Sequence, residues 1–220
     1  VIALLAVGFF QAFSNAATFL IILPLWGMGG KYWYGRPRPR KLAVSLAVSL
    51  PLLALILSGI EPVLRVSQRL DDGNLGARTV SGNGVMLIWA PDGPGWPPEG
   101  TDWFEAQQVC HYLTEDGLTL ASSPQNIWRL PTVEEAVRSM SRHGRNSGGV
   151  WDAENAKATY ETEPDKESPL WNVHSQVIYW WTATEVDEAR ATIIAYDGRV
   201  WPRSKSFGPA YLGFRCVRPP

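Results

Sequence analysis

The side chains able to do chemistry are few. There are two cysteines, Cys110 and Cys216, and three histidines, His111, His143 and His174. The histidines show no metal-ligand spacing and no HExxH pattern. His111 reads as a helix-surface residue, and His143 and His174 border a long loop in which they could meet. There is no GxSxG elbow and no P-loop. Gly82-Asn83-Gly84, ahead of an apolar run, reads as a turn and not as a phosphate cradle. Glu134 and Glu135 invite an acid–base reading, but helix capping and solvation account for them more simply. Asp152, Glu154 and Asn155 offer oxygen ligands of the kind calcium takes, yet an exposed acidic loop is the plainer account. The expectation is therefore no catalytic residue, no metal site and no cofactor; calcium has no support beyond these oxygens.

Tryptophan is the other unusual resource. The chain of 220 residues holds 11, nine of them from Trp89 to Trp201. Each buries a large ring and needs a partner for its N–H. Such density suits a small domain held by aromatic packing. The sharper alternative is a ligand surface on which Trp96, Trp151, Trp171 and Trp201 stack against sugar rings.

These residues need elements to position them. Gly84–Trp89 reads as a strand, and Pro91–Pro98 as a turn-rich loop. Thr101 opens a helix, because Trp103, Ala106, Val109, Cys110 and Leu113 recur at helical spacing, with Asp102 and Glu105 in the first turn. Trp128–Pro131 reads as extended. Thr132 with Glu135 three residues on forms a capping box, and the helix it starts should stop near Gly144. Residues 144–175, with Gly148-Gly149, Pro164 and Pro169, read as a long irregular stretch pinned by Trp151, Tyr160 and Trp171. Val177–Ala183, Ala191–Tyr196, Arg199–Trp201 and Tyr211–Val217 carry strand signals, with Asp197-Gly198 as a hairpin turn.

The first third of the chain is a different material. Residues 1–30 contain no Lys, Arg, Asp or Glu. Two apolar runs, about 1–26 and 42–60, read as membrane-spanning helices; the second would extend roughly 28 Å at 1.5 Å per residue. A signal peptide is the alternative for the first, although no basic leading segment precedes it. Gln11, Ser14 and Asn15 could hydrogen-bond a neighbouring helix. The loop 31–41 is basic and acid-free, which places it in the cytoplasm. Tyr32, Trp33 and Tyr34 would sit at the headgroups, with Arg36, Arg38, Arg40 and Lys41 contacting anionic lipid. The domain scheme is then a two-helix anchor over 1–66, a polar linker over 67–81, and a folded domain over 82–220. With a net charge of −1, nothing global favours a nucleic-acid partner.

The run from Val85 to Val217 resembles the Lcl carboxy-terminal (DUF1566) family of bacterial domains, which is related to formylglycine-generating-enzyme and C-type-lectin-like folds. The residues that carry the resemblance are Ala106–Leu113 with Cys110, Trp128–Thr132 with Glu134 and Glu135, Trp181–Glu185, Gly198 and Phe214–Arg218. It covers roughly 60% of the chain, to the precision of sequence reading. The order of strand, helix, helix, long loop and strands makes an α+β domain with little regular structure, and the resemblance implies a C-type-lectin-like fold for it. With the two apolar runs, which lie outside the resemblance, the expected architecture is two transmembrane α-helices followed by this domain. It also implies that Cys110 and Cys216 are adjacent and bridged; two buried free thiols are the alternative. Formylglycine-generating enzymes bind copper through a cysteine pair. With both cysteines in structural positions, no thiol remains for that chemistry. Lectins hold calcium through Glu-Pro-Asn or Gln-Pro-Asp, with Trp-Asn-Asp nearby. Ser123-Pro124-Gln125-Asn126, Trp151-Asp152 and Trp171-Asn172 fall short of that pattern.

The favoured expectation is a non-enzymatic, membrane-anchored accessory or scaffolding subunit. Its domain would stand on the periplasmic or extracellular side of a bacterial inner membrane, in contact with lipids and with other subunits of a larger complex, respiratory or photosynthetic for example. A membrane-anchored glycan-binding protein is the alternative, and an enzyme of unknown chemistry on the same fold is the weaker one.

Overall fold

The computed structural model describes residues 65–220. Within them Arg69–Pro220 is one compact unit. Two antiparallel strands open it, β1 (Arg78–Gly82) and β2 (Val85–Trp89). Asn83 and Gly84 close this hairpin at φ of 51° and 79°, the left-handed pair that a two-residue turn demands. Helix α1 (Trp103–Tyr112) follows, capped by Asp102, whose carboxylate accepts the Glu105 amide. Helix α2 (Val133–Ser139) starts at the expected box: Thr132 accepts from the Glu105-equivalent third position, Glu135, and the Glu135 carboxylate accepts the Thr132 amide in return.

Two small hairpins come next, β3 (Ser141–Arg142) with β4 (Arg145–Asn146), and β5 (Val150–Asp152) with β6 (Lys157–Thr159). The chain then lays down β7 (Tyr179–Glu185), β8 (Arg190–Ala195), β9 (Val200–Ser204), β10 (Leu212–Gly213) and β11 (Val217–Arg218). One sheet has the order β1-β2-β11; the other has the order β10-β7-β8-β9.

The four-stranded sheet is covered on both faces, which is why β7 and β8 read as nearly continuous apolar runs. Successive side chains point to opposite sides. Trp180 and Ile194 join the core around α2, with Ala136, Val137 and Trp89. Trp181 and Ile193 join the core around α1, with Ala106, Cys110 and Phe214. The two cysteines are bridged, with Cα atoms 5.6 Å apart across a sequence separation of 106. The bond ties the end of α1 to the residue just before β11.

The expected fold class needs correction. The described residues are mostly β, with 11 strands and, beyond a helical stretch at 65–67, two short helices of ten and seven residues. None of the described helices is long and apolar enough to cross a membrane. The two-transmembrane-helix plus α+β description is therefore not what this structure has. The runs 1–26 and 42–60, and the loop residues Tyr32, Trp33, Tyr34, Arg36, Arg38, Arg40 and Lys41, lie outside the described residues. The stretch 144–175, expected to be irregular, holds the β5–β6 hairpin and the second strand of the β3–β4 hairpin, because His143 and Gly144 (φ 49° and 72°) and Ala156 (φ 48°) supply left-handed turns. The same turn stops α2 at Ser139, five residues before Gly144.

Candidate functional site

The predicted tryptophans separate on folding. Trp96 and Trp171 are buried, at 5% and 3% exposure. Trp171 stacks on Trp180 with ring centroids 3.7 Å apart. Trp96 lies 3.6 Å from the guanidinium of Arg215. Arg215 is itself fully buried and donates to the carbonyls of Ala90, Pro169 and Leu170. Burial and, after it, Arg78 push the Arg215 pKa down. Trp96 and Trp171 are thus parts of the core. Trp151, on β5, packs half-buried against the core around α2, and Trp201, on β9, does so against the core around α1.

Trp201 belongs to a group that the sequence did not assemble. The register sets Trp181 of β7 against Ile193 of β8, and Ile193 against Trp201 of β9. Tyr179, two residues before Trp181, therefore shares their face of the sheet. Its ring meets Trp201 edge-on at 5.3 Å and Tyr211 edge-on at 5.8 Å. Tyr211 is 42% exposed and Phe207 38%. Arg199 and Arg203 flank Trp201 at two-residue spacing, which carries them to the same face. Arg199 lies 5.9 Å from the Trp201 ring and Arg203 5.6 Å from the Phe207 ring. Arg199 is paired with Asp197 at 2.7 Å, and that hydrogen bond raises its pKa. Among the described residues, the Arg203 side chain has no ion-pair or hydrogen-bond partner. The result is a continuous half-open strip of Tyr211, Tyr179, Trp201, Arg203 and Phe207.

Beside this strip the sheet edge is closed to strand addition. β9 is an outer strand. The Ala195 amide donates to the Arg199 carbonyl at 2.8 Å and the Lys205 amide to the Ala189 carbonyl at 2.9 Å. Odd-numbered residues of β9 therefore bond β8, while Val200, Pro202 and Ser204 face outward. Pro202 has no N–H to offer there.

The other polar residues are engaged locally. Glu135 makes a bidentate pair with Arg129 at 2.6 and 2.7 Å. Burial, the largest single influence, raises its pKa, but the bond and charge of Arg129 together with the hydrogen bonds from Thr132 outweigh it, and the net shift is downward. Glu134 pairs with Arg138 at 2.7 Å. Glu134, Glu135 and Arg138 line a groove of about 350 Å³ with Gly84 and residues 85–87 of β2, and its charges are already matched. His174 pairs with Asp71, and His143 borders Glu167, so each of these two histidines has its own carboxylate. Asp152 accepts from the Glu154 and Asn155 amides and from the Asn155 side chain. Its oxygens organise the β5–β6 turn. Among the described residues no three or more His, Cys, Asp or Glu side chains are placed to share a metal ion.

A buried charged cluster lies apart from the strip. Asp165 and Glu167 are almost fully buried. Asp165 pairs with Arg69 at 2.7 Å and Arg142 at 2.8 Å, and Glu167 accepts the Leu70 and His143 amides. This cluster ties the segment before β1 to the β3–β4 hairpin, and every charge in it has a structural task.

No protein-family model matches this chain, and no curated protein matches it.

Proposed function

We propose that the chain is a non-enzymatic accessory subunit whose folded domain makes protein–protein contacts through the Tyr211–Tyr179–Trp201–Phe207 strip. The observation that carries this reading is the exposure of Tyr, Trp and Arg together on one sheet face. These residue types dominate the binding energy of protein interfaces. The rings meet edge to face, so they offer no shared flat platform for a sugar. That favours a protein partner over a glycan. The Cys110–Cys216 bridge supports a location outside the reducing cytosol, on the periplasmic or extracellular side. The resemblance to the Lcl carboxy-terminal family is part of the same proposal.

Gentle purification of the native protein tests it. Stoichiometric co-purification of another subunit, lost with Trp201→Ala and Tyr211→Ala, is the expected result. A monomer that instead binds glycans in a calcium-dependent way overturns the reading.

A further inference from the structure

Resting on that reading, we infer that the partner presents an acidic segment to the strip. Its carboxylates pair with Arg203 and Arg199, and an apolar side chain between them seats on Trp201. The argument begins with charge. The chain as a whole is balanced, with 20 Lys and Arg against 21 Asp and Glu. Residues 198–220 contain five cations and no acid. Three of those cations are buried or half-buried. Arg215 is buried against Trp96, Lys205 pairs with Glu185 at 2.5 Å, and Arg218 lies over Trp128 at 5.2 Å. The two that remain on the surface are Arg199 and Arg203, one on either side of Trp201.

Arg203 has no carboxylate of its own among the described residues, and Arg199 has one, Asp197, for which a partner acid would compete. Arg199 and Arg203 stand four residues apart on extended chain, about 13 Å. An extended partner segment of matching length brings an acid to each with an apolar residue between. The guanidinium forks suit carboxylates. Pro202 removes backbone pairing along this edge, so recognition falls to side chains. Tyr179 and Trp201 are half-buried and meet edge-on, which favours a protein segment over a bilayer surface.

The test uses the full chain and a fluorescein-labelled peptide of repeating Glu-Ser-Leu-Ser, whose extended form alternates Glu and Leu along one face, followed by fluorescence polarisation. A counterpart with Lys in place of Glu is the control. Binding of the Glu peptide that weakens at least tenfold with Arg203→Ala, and falls with added salt, is expected. The Lys peptide should not bind. Equal binding of both peptides, no binding of the Glu peptide, or indifference to Arg203→Ala overturns the inference. So does a preference for phosphatidylserine vesicles or polygalacturonate over the Glu peptide. If the peptide fails while native co-purification still depends on Trp201 and Tyr211, this inference falls and the protein-contact proposal stands.

Discussion

Trp103 and Trp181 bind helix to sheet by exchanging backbone partners. The Trp103 indole donates to the Thr182 carbonyl at 2.8 Å, and the Trp181 indole donates to the Thr101 carbonyl at 2.9 Å. The start of α1 is thereby fixed to the middle of β7. The disulfide fixes the other end of α1 near β11. Tyr179, two residues along β7 from Trp181, takes its position in the strip from this doubly anchored layer.

Loss of either indole donor should loosen that layer. Trp181→Phe removes the bond to Thr101 and leaves a small cavity in the core. A buried acceptor left unpaired costs about 1–3 kcal/mol, and the missing ring atoms add to it. Denaturant unfolding should show a clear drop in midpoint. The double variant Trp103→Phe/Trp181→Phe should lose less than the sum of the singles, because the two bonds hold one seam. Strict additivity would show that they act separately.

The disulfide should be quantitative in the native protein. Thiol labelling under denaturing, non-reducing conditions should modify neither Cys110 nor Cys216, and reduction should expose both. The chain-entropy account gives about 4–5 kcal/mol for a closed loop on the order of a hundred residues. Cys110→Ala/Cys216→Ala should therefore lower the unfolding midpoint by a wide margin. A double variant as stable as the parent would mean that the Trp103–Trp181 seam alone holds α1.

Some of this was legible in the residues and some was not. The Thr132–Glu135 box and the helical spacing around Ala106 and Cys110 are local signals. Helix α2 starts where its box places it, and α1 starts at Trp103 with Asp102 as its cap, one residue after the Thr101 expected to open it. The Asp197-Gly198 turn is local too, with Gly198 at φ 82°. The hairpins between residues 141 and 159 were not legible. Their strands are only two or three residues long, too short to show alternation, and non-glycine residues such as His143 and Ala156 take the left-handed turns. The strip was hidden for a different reason. Only the register across β7, β8 and β9 brings Tyr179 beside Trp201, and composition cannot say that Trp171 stacks inward while Trp201 stays half-open. One signal was available: the acid-free run from Gly198 onward, in which Arg and Trp alternate across Arg199, Trp201 and Arg203.

Lys166 should impose a pH dependence opposite in sign to that of an ion-paired lysine, whose pKa is raised on folding. It is 4% exposed, and burial, followed by the charge of Arg69, lowers its pKa from 10.5 to about 8. The unfolded chain therefore holds more protons than the folded one between about pH 8 and 10.5, and stability contributed at this site rises with pH across that window. Below about pH 8 the full cost of burying the cation is present, on the order of 3 kcal/mol. Stability of the parent minus that of Lys166→Met, followed from pH 7 to 10.5, should climb. Parallel curves would show that Lys166 keeps its proton in the fold.

Pro202 should act as a guard on the outer strand. At that position the backbone faces away from β8, and an ordinary residue would present a free N–H between the outward carbonyls of Val200 and Ser204. A row of such groups is a template for edge-to-edge pairing. Thr192, opposite Pro202, does not depend on a bond from that position, because the neighbouring odd-numbered pairs carry the ladder. Pro202→Val should therefore leave the fold intact by circular dichroism while producing association that grows with protein concentration in light scattering. Pro202→Val combined with Trp201→Lys should suppress that association by returning charge to the edge. A Pro202→Val protein that stays monodisperse at high concentration would mean that Arg199 and Arg203 protect the strand without help from proline.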